Sequence, residues 1–176
     1  MPRCAEKTHI FKTGNRDYMN ITIRRAESRD ADGVISLLHE VNDLHARLRP
    51  DIFIPGFVKY TKEELEAIFK NDDTPVFVAE DENGDVAGHA FCVLKKQPFC
   101  TNMKDFTTLY IDDLCVDETK RGLHVGKKLY EYLLDYARKS GCYDVTLNVW
   151  EGNDSARGFY EKMGMFVKET QMEIIL

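Results

Sequence analysis

Val116-Asp-Glu-Thr-Lys-Arg-Gly-Leu-His-Val-Gly126-Lys-Lys-Leu129 is the stretch from which the fold is read. Ahead of it an apolar run, Leu109 to Val116, stops abruptly in charge. Behind it apolar residues recur at Val125, Leu129, Leu133 and Tyr136, the spacing of one helix face. The order is therefore strand, basic glycine-containing loop, helix. Such a loop directs backbone N–H groups and the positive end of a helix dipole at one point. The natural occupant is a phosphate or pyrophosphate, so the reading points to a phosphorylated cofactor. The Walker pattern is excluded: three residues, not four, separate Gly122 from Gly126, and Lys128 stands where a hydroxyl should hold magnesium. The dinucleotide fingerprint G-x-G-x-x-G is absent as well. The plainer reading of the same residues is a charged strand-to-helix turn punctuated by Gly122.

Size and composition narrow the classes. The chain has 176 residues, enough for one domain with a real core and short of two. Apolar and charged fractions of 43% and 31% are ordinary for a soluble globular protein. No apolar run approaches the ~18 residues of a membrane span. The segment Met1 to Thr8 lacks the apolar stretch of a secretory signal. The five cysteines (Cys4, Cys92, Cys100, Cys115 and Cys142) form no CxxC pair and no metal-ligand spacing. Reduced thiols in a cytoplasmic protein are the simplest account. A net charge of −6 argues against a nucleic-acid partner and suits a cationic or neutral substrate.

Along the chain, residues 1–18 are polar and aperiodic, so a flexible extension is expected ahead of a single domain at 19–176. Asn20 to Arg24 reads as a short strand. Ser28 is placed to cap a helix whose apolar face is Ala31, Val34, Ile35, Leu38 and Val41. Arg49-Pro50 ends it, because a residue before proline is pushed out of the α region. Thr61 and Glu64 form a capping box that opens a second helix. Val76 to Ala79 and Val86 to Leu94 are strands joined through Asp81 to Asp85. Leu109 to Val116 is the fourth strand and Gly126 to Lys139 its following helix, ended by Ser140-Gly141. Val145 to Trp150 is a strand, Asp154 to Met163 a short helix, and Phe166 to Leu176 is expected to hold one or two more strands. The class is α+β, with a mixed sheet.

Arg121-Gly-Leu-His-Val-Gly126 resembles R/Q-x-x-G-x-G/A, the acyl-CoA pyrophosphate loop of the GNAT N-acyltransferases. His124 departs from it, standing where the family has its first glycine. Tyr110-Ile-Asp-Asp-Leu-Cys-Val116 resembles the family's fourth strand as polyamine acetyltransferases carry it, with Asp112 at a glutamate position. Asn153-Asp-Ser-Ala-Arg-Gly-Phe-Tyr160 through Gly164 resembles the family's Asn-x-x-Ala-x-x-Phe-Tyr-x-x-x-Gly segment. The element order over residues 19–176 is also that of the family. The resemblance implies a sheet of six to seven strands with about four helices, strands four and five parallel and splayed around the pantetheine. It also implies acetyl-CoA as co-substrate, an N-acetyltransferase acting on a primary amine, no metal, and a homodimer.

By the same resemblance the cofactor is held by Leu114, Cys115 and Val116 on the strand and by Arg121, Gly122, Leu123, His124, Val125, Gly126 and Lys127 in the loop. Asn153, Ser155 and Tyr160 join them from the last helix. Transfer from a thioester to an amine needs a proton taken from the amine and a donor for the leaving thiolate. Tyr160 is the candidate acid: a phenol of pKa roughly 10 is protonated at neutral pH. Asp112 is the candidate base, acting through a water, and a strand bulge would exchange its role with that of Asp113. Direct transfer in a ternary complex needs no acyl-enzyme, so Cys115 reads as a packing residue. His45, Phe53, Tyr110 and Trp150 are candidates for the acceptor pocket, near Arg49, Asp51 and Phe57. Each has a bland counterpart, from core tyrosine to solvated strand charge. Two alternatives stay open: a longer acyl-CoA as donor, or a catalytically silent acyl-CoA-binding regulatory module. The acceptor itself is not legible.

Overall fold

Five strands form one sheet: β1 (Thr22–Arg25), β2 (Val76–Glu80), β3 (Val86–Lys96), β4 (Thr107–Val116) and β5 (Asp144–Leu147). Their spatial order is their chain order. The structure is a computed structural model that describes residues 20–97 and 102–176. The extension expected at residues 1–18 lies outside the described residues, as do Cys4 and Cys100. The first four strands pair antiparallel. β4 and β5 pair parallel, which requires a crossover, and the helix α3 (Val125–Lys139) supplies it.

β2 is buried at Val76, Phe77, Val78 and Ala79 alike, because helices cover both faces of the sheet. On one face α1 (Ala31–Leu48) and α2 (Lys62–Ile68) set Ala31, Val34, Leu38, Leu65 and Phe69 against Val76, Val78 and Phe91. On the other, α3 sets Val125, Leu129 and Leu133 against Phe77, Ala90, Cys92, Leu109 and Ile111. The last helix, α4 (Asp154–Lys162), joins that second core through Phe159 and Tyr160. Among the described residues no helix is long and apolar enough to cross a membrane.

Local chemistry explains the boundaries. At α2, Thr61 Oγ1 accepts the Glu64 N–H at 3.3 Å and the Glu64 carboxylate accepts the Thr61 N–H at 2.8 Å. At α1 the expected Ser28 cap is replaced. Ser28–Asp30 is a 3-10 turn, and α1 begins at Ala31. The reason is Asp30, whose buried carboxylate accepts the Glu27 N–H at 2.8 Å and the Arg24 guanidinium at 2.7 and 2.8 Å. α3 ends as expected at Ser140-Gly141: the Cys142 N–H reaches the Ala137 carbonyl and the Gly141 N–H that of Arg138. Gly88 is required by close approach. A Cβ there would lie 2.8 Å from the Cys115 carbonyl oxygen across the β3–β4 ladder.

Two further expectations are corrected. β5 stops at Leu147 instead of running to Trp150. Its ladder with β4 ends at the pair Ile111–Leu147, and the next residue, Asp112, is an insertion in β4. Opposite Phe91 stands Asp113 and opposite Cys92 stands Ile111, so Asp112 has no partner on β3. The extra residue bends the strand and β5 parts from it. The second correction concerns Phe166 to Leu176, which forms no strand. Alternation makes a segment competent for a ladder, but a ladder also needs an edge in register. Here side chains anchor the segment instead, Lys168 to Asp144 at 2.7 Å and Glu173 to Arg49 at 2.8 Å.

Candidate active site

Beyond Ile111 and Leu147 the parting of β4 from β5 opens a cleft. β3 still pairs the residues from Asp113 to Val116 on one side; the other edge of that backbone has lost its strand neighbour. Leu114 and Val116 sit partly buried along it. At its end the chain makes a 3-10 turn, Glu118–Lys120, and then the loop into α3. Gly122 has φ +81° and His124 φ +65°, the one non-glycine residue in the left-handed region among those described. A non-glycine residue there costs roughly 1–2 kcal/mol. The conformation sets the first bond of α3 at Lys128 N–H to His124 carbonyl, 3.0 Å. The amides of Val125, Gly126 and Lys127 precede it and have no intrahelical acceptor. A phosphate seated there meets three N–H donors and the dipole's positive end.

Charge around this loop is unevenly available. Lys120 is taken by the Asp81 carboxylate at 2.6 Å, deep enough that Asp81 is only 4% exposed. Arg121 is more exposed, its Nε on the Val116 carbonyl at 3.3 Å, and Lys127 lies 3.8 Å from Glu131. Arg121 and Lys127 thus remain near the helix start, and Lys120 is a structural tie. Across the cleft, Asn153 caps α4 by accepting the Ala156 N–H at 3.2 Å. Ser155 is exposed beside it. Phe159 packs against Gly126, which sets the inner face of α4 against the start of α3.

The insertion in β4 decides what faces the acceptor side. It puts both aspartates within reach of the α1–α2 face, on different partners. Asp112 is on the rim, its carboxylate accepting the Lys59 ammonium at 2.6 Å. Burial works to lower the Lys59 pKa, but Asp112 carries it above the ordinary lysine value. Asp113 lies deeper, 16% exposed, with Oδ2 3.2 Å from Nε2 of the wholly buried His89. Tyr160 is half-buried beside Tyr130 and Phe159, at 6.2 and 5.1 Å between ring centroids. Burial, and after it the Asp113 charge, pushes the Tyr160 phenol upward. The phenol is therefore a standing proton donor at neutral pH. Burial raises the Cys115 thiol to about 12, and its Sγ–H points to the Leu37 carbonyl at 3.6 Å. That environment suits packing, not nucleophilic attack.

The acceptor candidates come together in part. His45 and Phe53 lie 5.0 Å apart, and Phe53 meets Trp150 edge-on at 5.5 Å. The Arg49 guanidinium covers Trp150 at 5.5 Å and is forked between Asp51 and Glu173. Burial lowers the His45 imidazole below its ordinary value, with Asp113 pulling the other way. A neutral ring is the result at pH 7. Tyr110 stands apart from this trio. Its hydroxyl accepts the Asn148 amide at 3.2 Å, and the Lys95 ammonium lies 3.2 Å from its ring centroid. Sequence reasoning missed Lys59, His89 and Asn148. Only His89 left a signal: a lone polar residue in the apolar run Val86 to Val93.

The acetyltransferase (GNAT) family model matches residues 38–165. Glucosamine 6-phosphate N-acetyltransferase of Arabidopsis thaliana is 35% identical over 118 residues, which span 64% of this chain and 75% of that one. The crystal structure of glucosamine-6-phosphate N-acetyltransferase from the same plant superposes with a TM-score of 0.67 at 31% identity, covering 89% of this chain and 98% of that one. A mutant form of the BH1408 protein from Bacillus halodurans superposes with a TM-score of 0.84 at 30% identity, covering 88% and 99%.

Proposed function

This chain belongs to the acetyltransferase (GNAT) family and is an acetyl-CoA-dependent N-acetyltransferase of primary amines; on that footing we propose direct transfer to a small, hydroxyl-rich amine, an amino sugar first among the candidates. The observation that carries the reading is the cleft where β4 and β5 part. It has three amide donors of α3 at one end and Tyr160 opposite a β4 carboxylate at the other. The pyrophosphate rests on Val125, Gly126 and Lys127, and the pantetheine follows the open edge of Leu114 to Val116. Tyr160 donates to the leaving sulfur. An aspartate of β4 takes the amine proton. Cys115, buried and protonated, takes no part, so no acyl-enzyme forms. A carboxylate-rich rim with aromatic faces at Phe53 and Trp150 suits a polar cyclic amine, and the plant relatives' named substrate supports that choice.

The test is thiol release from acetyl-CoA with a panel of amines: glucosamine 6-phosphate, glucosamine, spermidine, an aminoglycoside and a lysine peptide. Fastest turnover is expected with an amino sugar. Preference for spermidine or the peptide would overturn the acceptor. CoA binding without turnover on any amine would leave a binding module. We place the enzyme in the cytoplasm, an assignment supported by the free thiols of Cys92, Cys115 and Cys142. We also propose a homodimer. Its support is the open edge of β5 and the exposed apolar side chains of the C-terminal segment.

A further inference from the structure

We infer that Asp113 is the residue that takes the amine proton, and that His89 is a positioning residue that holds its carboxylate for the task. The inference rests on the acetyltransfer reading above and names the base within it. Two aspartates stand side by side on β4, and the structure separates them. Asp112 is engaged at 2.6 Å by Lys59, and its charge acts on Lys59, Tyr110 and Cys92. The charge of Asp113 acts on Tyr160 and on His45, the two groups that flank the reacting atoms. Of the two carboxylates, it is the charge of Asp113 that reaches both the thiolate donor and the acceptor pocket.

The support beneath Asp113 is unusual for its cost. His89 is wholly buried in β3, opposite Cys115 in the ladder and on the same face as Asp113. Its ring meets the edge of Phe91 at 5.2 Å. Nε2 lies 3.2 Å from Asp113 Oδ2, where the Nε2–H tautomer donates to the carboxylate, while Nδ1 is buried with no hydrogen-bond partner among the described residues. A buried polar atom left unpaired gives up its hydration with nothing in return. A leucine would fill an apolar strand without that cost, so the ring is retained for what Nε2 does. It fixes one oxygen of Asp113 and leaves the other for the cleft. The groups facing Asp113 are His89 on β3, His45 on α1, Tyr160 on α4, and Asp112 and Cys115 on its own strand.

The reaction then balances as follows. The acceptor ammonium gives one proton to Asp113, and the freed amine attacks the thioester carbonyl carbon. As the C–S bond breaks, sulfur takes the Tyr160 proton. The nitrogen loses its second proton as the amide forms, which restores the phenol. Asp113 releases its proton to solvent. The products are the N-acetyl compound, CoA thiol and one proton.

Two measurements test this on the full chain. The first needs no turnover. In two-bond 1H–15N spectra, His89 should hold the Nε2–H tautomer in wild type and in Asp112→Ala, and lose that single form in Asp113→Ala. The second is steady-state acetylation with the best amine of the panel. Asp113→Asn should lower kcat about 10²–10⁴-fold, a loss at least about tenfold larger than that of Asp112→Asn. His89→Leu should lower kcat by about 10²-fold through misplacement of Asp113. His89→Gln, which keeps an N–H donor, should recover most of the loss, and KM for acetyl-CoA should not change in any variant. A purely structural His89 predicts equal behaviour of Leu and Gln. That equality, a His89 spectrum indifferent to Asp113, or a larger loss in Asp112→Asn than in Asp113→Asn each overturns the proposal. Should both His89 variants fail to fold, the two aspartate variants still decide it. A wild type that binds CoA but acetylates no amine sinks the base role along with the reading it rests on, while the tautomer spectra separately judge the dyad.

Discussion

Tyr160 is held by its ring, and the proposed mechanism uses its hydroxyl. Its ring packs on Tyr130 and Phe159, and among the described residues its hydroxyl has no hydrogen-bond partner. Tyr160→Phe therefore keeps the packing and removes only the proton. The expected result is CoA affinity close to wild type by calorimetry and a kcat lower by about 10²–10⁴-fold. Because burial and Asp113 raise the phenol, its proton is retained through neutral and mildly basic pH. No loss of rate from Tyr160 ionisation should therefore appear below about pH 10. A Phe variant with full turnover while chemistry is rate-limiting would make Tyr160 a packing residue. The tyrosine could be read from the sequence because its neighbours form a motif. The choice between Asp112 and Asp113 could not. It depends on a one-residue insertion that hydropathy does not mark, and on His89, which lies 24 residues away in sequence. Lys59 was equally hidden, since nothing local ties a loop lysine to a strand 53 residues on.

At the scale of elements, the proposed pyrophosphate site at the start of α3 can be tested one amide at a time. A Cβ at Gly126 would meet Val116 and Phe159 at 3.5 and 3.6 Å, ordinary contact distances. Gly126→Ala should accordingly fold and bind CoA like wild type. Gly126→Pro is compatible with a first helical turn but lacks the N–H. It should weaken CoA by roughly 1.5–3 kcal/mol, one to two orders of magnitude in Kd. Undiminished binding in calorimetry would put the pyrophosphate elsewhere. The turn between β2 and β3 makes a second case. Asp81 accepts the Asn83 and Asp85 N–H groups and the Lys120 ammonium. Burial pushes its pKa up, but these bonds bring it below the usual carboxylate value. A depressed carboxylate contributes stability that is complete above its unfolded pKa, about 3.9, and is lost as pH falls through the folded value. Wild type should lose Tm on acidification below about pH 4, and Asp81→Asn should be less stable at pH 7 with a shallower acid slope. Equal slopes in thermal melts would count against the tie. Strand and helix order were legible from periodicity and caps. The ends that moved, at Ser28 and Leu147, did so because of partners distant in sequence.

For the molecule as a whole, the segment after α4 is the unsettled feature. Phe166, Val167, Met172, Ile174 and Ile175 are each at least 70% exposed. One or two strands were expected there, but a sequence segment competent for pairing does not show whether an edge is present to pair with. In the proposed dimer this segment is covered by a second copy. Ile174→Lys with Ile175→Lys should then shift sedimentation from dimer to monomer without altering the circular dichroism of the domain. A wild type that sediments as a monomer at micromolar concentration would remove the basis for the dimer. Strand order has its own consequence, in time rather than space. Spatial neighbours are chain neighbours throughout the sheet, so β1 to β4 can close in the order of synthesis. β5 arrives last and is fastened through only four residue pairs on one side. It is the part of the sheet expected to open locally before the rest. In the proposed site acetyl-CoA lies between β4 and β5 and binds only the closed form, so at 100 times its Kd it adds about 2.7 kcal/mol to that form, roughly a hundredfold in population. Amide hydrogen exchange at Val145 to Leu147 should slow by about that factor when CoA saturates, while exchange in β3 changes far less. The substrate then acts as the last fastening of the fold that recognises it.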